Sequence, residues 1–88
     1  MSWAFRFRKN VHMYSHELKC KKGNFEFNCQ SEDSAHEQHV VLFWLDELPL
    51  KETQINEFAS ELTSWAKLQE LKFRVYFNNK CITSSQIN

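Results

Sequence analysis

From Trp3 onward apolar and polar side chains take turns, with Trp3, Phe5 and Phe7 set against Ala4, Arg6 and Arg8. A repeat of two belongs to a pleated strand with one buried face, so residues 2–8 are predicted as a strand with a basic outer side. Lys9-Asn10 reads as the turn, because Asn accepts the left-handed backbone of a tight hairpin. Residues 11–20 then run back, and Lys21-Lys22-Gly23-Asn24 turns again on the only glycine of the chain. Phe25-Glu26-Phe27-Asn28-Cys29 alternates once more, which completes a three-strand meander.

The two turns can be checked against each other. The first pairs Phe7 with His12, Phe5 with Tyr14 and Trp3 with His16; the second pairs Cys20 with Phe25, Leu18 with Phe27 and His16 with Cys29. Both registers gather the same apolar set on one face. The other face keeps Arg6, Arg8, Ser15, Glu17, Lys19, Glu26 and Asn28, with Lys19 opposite Glu26 as a favourable cross-strand pair. A slip of one residue would bury those charges. Val11 and Met13 fall on the polar side, which leaves room for a bulge near Ser15.

Val40-Val41-Leu42-Phe43-Trp44-Leu45 is the one run of six apolar residues, and its β-branched and aromatic content predicts a central strand covered on both faces. Before it, Ser34-Ala35-His36-Glu37 has capping-box spacing and predicts one helical turn. After it, Pro49 precedes a stripe of Ile55, Phe58, Ala59, Leu62, Trp65 and Ala66 at helical period, so a helix is expected from Lys51 or Thr53 to Leu68. Leu71, Phe73, Val75 and Phe77 alternate with Lys72, Arg74 and Tyr76 as a last strand. The order β-β-β-β-α-β gives an α+β fold, a mixed, mostly antiparallel five-stranded sheet with one amphipathic helix packed on one face. The strands either side of the helix run parallel through a right-handed crossover. Residues 1–82 form a single domain, and 83–88 a flexible polar tail.

Composition narrows the class. Eight Phe, three Trp and two Tyr in 88 residues supply a core, while one Gly and one Pro exclude a collagen-like or loop-rich chain. The three cysteines lack Cys-x-x-Cys spacing and suit reduced thiols in the cytoplasm. The longest apolar run is too short to span a bilayer, so no membrane role is expected. Net charge is zero but unevenly spread. Residues 1–30 hold six Lys/Arg against two acids, a net of +4, and residues 31–88 hold five against nine, a net of −4. Two charge-polarised halves attract different partners.

Three constellations carry possible chemistry. His12, His16, Cys20 and Cys29 share one face by the register above, and such ligands suit a tetrahedral zinc site or a thiol–imidazole pair. That face is also the apolar one, where thiols and imidazoles usually serve packing. Arg6, Arg8, Lys9, Lys21 and Lys22 would contact phosphates of a nucleic acid. The neighbouring aromatics point to the opposite side, and single-strand binding wants them on the same one. Glu32, Asp33 and Glu37 in the loop, with Glu57 and Glu61 on the helix, form acidic patches aimed at a basic partner. Neither a glycine-rich phosphate loop nor a catalytic carboxylate pair is present, and no cofactor is implied. The expectation is therefore a small non-enzymatic interaction protein that binds and inhibits another macromolecule, most simply a protein, in the manner of accessory inhibitors carried by phages and other mobile elements. Nucleic-acid binding is the first alternative and a Cys/His metal or thiol site the second. The chain is expected to act as a monomer, or as a homodimer paired through its last strand as a sheet edge.

Overall fold

The alternating segments become strands and the periodic segment a helix, in a computed structural model that describes residues 2–85 and, of residues 10–12, the backbone alone. The elements are β1 (Ala4–His12), β2 (Ser15–Lys22), β3 (Phe25–Asp33), β4 (Val40–Trp44), α1 (Glu52–Leu68), β5 (Lys72–Phe77) and β6 (Lys80–Ser84). One sheet holds the strands in chain order, antiparallel throughout except where β4 and β5 run parallel across the α1 crossover. The class is the expected α+β with a mixed sheet and one helix. The sheet has six strands, not five.

The sixth strand follows from a turn that the alternation did not flag. Asn78 and Asn79 both adopt left-handed backbone, φ 53° and 63°, and Phe77 pairs with Lys80 across them. Two consecutive left-handed residues make the tight hairpin turn that Asn tolerates best. β5 is thereby an interior strand and the sheet edge passes to β6. Strand structure also continues past residue 82, through Ser84, and Ser85 bonds back to Phe73; residues 86–88 of the anticipated tail lie outside the described residues.

Both meander registers differ from expectation. The first turn sits at Met13-Tyr14, so Phe7 pairs with Leu18 and Phe5 with Cys20. The second sits at Gly23-Asn24, so Cys20 pairs with Phe27 and Leu18 with Cys29. Gly23 takes φ 63° at the first turn position, the conformation that glycine reaches without a steric cost. Relative to the expected pairs the strands slide by six and by two residues. Even slides preserve parity, so outside residues 10–14 the apolar and polar sets survive. Tyr14 moves into the turn and is exposed. The irregularity falls beside Ser15 as expected, between the pairs Arg8–Glu17 and His12–Ser15, with the extra residues on β1. Lys19 stands opposite Asn28 and reaches Glu26 diagonally at 3.8 Å.

Residues 34–39 form turns and bends, not a helical turn. Ser34 Oγ accepts from the amides of His36 and Glu37, but the Glu37 carboxylate that would complete a capping box is drawn to Arg74.

α1 lies over one side of the sheet and buries Ile55, Phe58, Ala59, Leu62 and Ala66. Phe58 is the hub, with the rings of Trp3, Phe5 and Phe27 at 5.2, 5.7 and 5.6 Å. Trp65 meets Phe5 and Phe7 at 5.4 and 6.3 Å. The Phe7 and Phe43 rings are 6.0 Å apart, although β1 and β4 are three strand spacings from each other, about 14 Å on a flat sheet. The sheet is therefore coiled around the helix.

Candidate functional site

With α1 on one side, side chains of the other parity form an open side. Arg6 and Arg8 stand at its β1 margin, next to Lys19 and Lys21 on β2. Farther across, Asn28 and Gln30 of β3 lead to Trp44 of β4 and Tyr76 of β5. The indole and phenol rings stack, 4.7 Å apart and 21° from parallel. Trp44 Nε1 donates to Glu32 at 3.0 Å. Beside this indole lies a depression of about 490 Å³, walled by Asn28, Gln30, Glu32, Asp46 and Glu47. Asp46 accepts the Asn78 amide at 2.6 Å, which ties the β4 exit to the β5–β6 turn.

Ion pairs hold much of this surface. Arg8 meets Glu17 at 3.4 Å. Arg74 grips Glu37 through two bonds of 2.6 and 2.9 Å, pinning the 34–39 loop to β5. That forked contact holds the Glu37 carboxyl below its ordinary value of 4.5 and raises the Arg74 guanidinium further, with Cys81 adding to the latter.

The acidic set does not form one face. Glu32 and Glu37 belong to the open side, through Trp44 and Arg74, while Glu57 and Glu61 lie on α1. Each carboxylate has an internal partner: Asp33 with His16 at 2.7 Å, Glu57 with Lys22 at 3.6 Å, Glu61 with the Trp3 amide at 2.7 Å. The basic set divides as well. Arg6, Arg8 and Lys21 face outward on the open side, whereas Lys22 turns to the helix side and sits 5.7 Å from the Trp3 ring centre. Lys9 borders a groove on the helix side, described below.

The Cys/His set is dispersed by the registers. His16 stands opposite Ser31, and Cys29 opposite Leu18. His16 is buried against Phe7 and bonded to Asp33; Cys20 and Cys29 are core residues. Burial pushes the Cys29 thiol up to about 12 and raises Cys20 further, with its neighbour Cys29 adding to the rise. The His12 side chain lies outside the described residues. Among the described residues no group of three or more His, Cys, Asp or Glu is arranged to hold a metal ion.

Two features went unread in the sequence. Trp44 and Tyr76 share the side of Arg6 and Arg8, and the alternation of β5 had already put Tyr76 with Arg74; only the β4–β5 pairing brings the two rings together. The second is a groove of about 510 Å³ along β1, where Phe5 and Phe7 meet Trp65 and Leu71. Packing of the helix stripe on the Trp3/Phe5/Phe7 face was expected, but no sequence signal marks the groove or brings Leu71 to it. Comparison of the chain with family models, with curated proteins and with solved structures returned no match.

Proposed function

We propose that this chain is a non-enzymatic interaction protein that binds another protein through its charged surfaces and inhibits that partner by covering it. The observation that supports this reading is the open side of the sheet. Among the described residues no second layer covers it, and it presents charged side chains, an aromatic stack and the depression beside Trp44. Such a face, polar with aromatic anchors, is the kind that protein interfaces use. No helix among the described residues is long and apolar enough to cross a membrane. The reading places the protein in the cytoplasm, where free cysteines stay reduced, as a small accessory protein of the type mobile elements carry.

Affinity capture from the native host with mass spectrometry tests it, using the wild type beside two charge-reversed variants, Arg6→Glu/Arg8→Glu and Asp46→Lys/Glu47→Lys. One recurring protein, lost with either variant, is the expected result. Capture that ignores both reversals, or no capture at all, rejects the reading.

Nucleic-acid binding is the second reading, favoured by Trp44 and Tyr76 lying on the same side as Arg6, Arg8 and Lys21. It requires an affinity that falls steeply with salt. Binding retained after Arg6→Glu/Arg8→Glu would dispose of it.

A further inference from the structure

We infer that the free edge of β1 takes an extended segment of the partner as a seventh strand, and that this segment alternates apolar and acidic residues. The inference rests on the protein-binding reading above and names the surface and the chemistry recognised. Among the described residues β1 has one neighbour, β2, so the backbone groups along its other edge are left without a ladder there. A strand added there continues the pleat, and its side chains alternate between the two sides of the sheet. On the helix side they meet the groove of about 510 Å³ formed by Phe5, Phe7, Trp65 and Leu71, which selects apolar residues. On the open side they meet Arg6 and Arg8, both exposed, which select carboxylates.

The same charges argue against a second copy as the occupant. Pairing β1 with β1 of another molecule would set Arg6 and Arg8 of one chain against Arg6 and Arg8 of the other, and like charges across a strand pair are destabilising. The other edge is less suited. β6 is five residues long against nine for β1, and the hollow beside it is lined mostly by polar side chains, Asn56, Ser60, Thr63, Ser64 and Lys67 among them.

The test uses the full chain labelled with nitrogen-15 and a nonapeptide of alternating valine and glutamate. Controls are a peptide of the same composition with its valines and glutamates in separate blocks, and one with lysine replacing glutamate. Slowed amide exchange along β1 and a shift of the Trp65 indole are expected with the alternating peptide alone. Affinity should drop at least about tenfold in Arg6→Glu/Arg8→Glu, a pair of exposed side chains whose reversal leaves the core intact. Lys9→Pro, which removes an edge N–H, gives a second variant with the same expected loss. Equal binding of the block or lysine peptide overturns the inference. So does β1 protection without peptide in a particle of twice the chain mass, or β1 shifts produced by an oligothymidine but by no peptide. If a host protein is captured by wild type and by Arg6→Glu/Arg8→Glu alike, but lost with Asp46→Lys/Glu47→Lys, the interaction reading stands and the β1 inference falls. If nothing is captured, the interaction reading falls by itself.

Discussion

Cys20, Cys29 and Cys81 are three thiols with two fates. Cys20 and Cys29 are 0% and 1% exposed, while Cys81 lies at the surface. A disulfide-exchange reagent should label one thiol per folded chain and three after denaturant, and fast native labelling of a second would contradict the core placement. The raised thiols also set a pH dependence. Below 9.0, the ordinary value, Cys29 is protonated in folded and unfolded chains alike, and its contribution is fully present. Between pH 9 and about 12 the unfolded chain loses the proton first, so stability falls with rising pH. Replacing Cys29 with Ala should flatten that alkaline limb in urea titrations. Glu37 works in the opposite direction: its lowered value means that stability is present above pH 4.5 and is lost as pH falls through the folded value. Ser31 is buried with a hydroxyl that has no hydrogen-bond partner among the described residues. Ser31→Ala removes that uncompensated polar group and should stabilise by about 1 kcal/mol in urea unfolding. A loss of stability would show that the hydroxyl has an unseen partner.

At the scale of elements, α1 was the most legible. Its stripe and its start beyond Pro49 gave Lys51 or Thr53 to Leu68, and the helix runs Glu52–Leu68. Gln54 accepts the Lys51 amide at 2.9 Å, Glu52 complements the first turn, and Lys67 the last. Its end is less comfortable. Glu70 takes φ 59°, its amide bonds to Lys67 O, and the Leu71 amide bonds to Ala66 O. This is the Schellman arrangement, in which glycine normally fills the left-handed position. Glu70→Gly should raise stability by about 1 kcal/mol, measured as a higher urea midpoint at unchanged slope. Phe58→Ala should cost about 3–5 kcal/mol, because it empties the site where Trp3, Phe5 and Phe27 converge. That is much of the total stability of a domain this size, so the variant should be partly unfolded at 25 °C by circular dichroism. β6 was the element the sequence hid. Lys80-Cys81-Ile82-Thr83-Ser84 has no clear alternation, and only the Asn78-Asn79 turn gives it away.

At the scale of the molecule, the radius of gyration of 12.2 Å matches the value of about 12 Å for a compact chain of this length. Parity along each strand was enough to assign the faces, since each side chain depends on its own position modulo two. This is why Arg6, Arg8 and Lys19 fall on the expected side of the meander. The dispersal of His16 and Cys29 could not be read the same way, because it depends on which residue stands opposite, and therefore on the turn position.

The sequence by itself determined the two periods, and with them the helix, five of the strands and the division of the meander into a buried and a charged side. Those follow from local geometry and from the cost of burying charge. The tertiary structure decided turn positions and hence cross-strand partners, the capture of Glu37 by Arg74, the stacking of Trp44 on Tyr76 and the groove between β1 and the end of α1. Each of these joins residues far apart in the chain, and coiling the sheet around one helix is what brings them together.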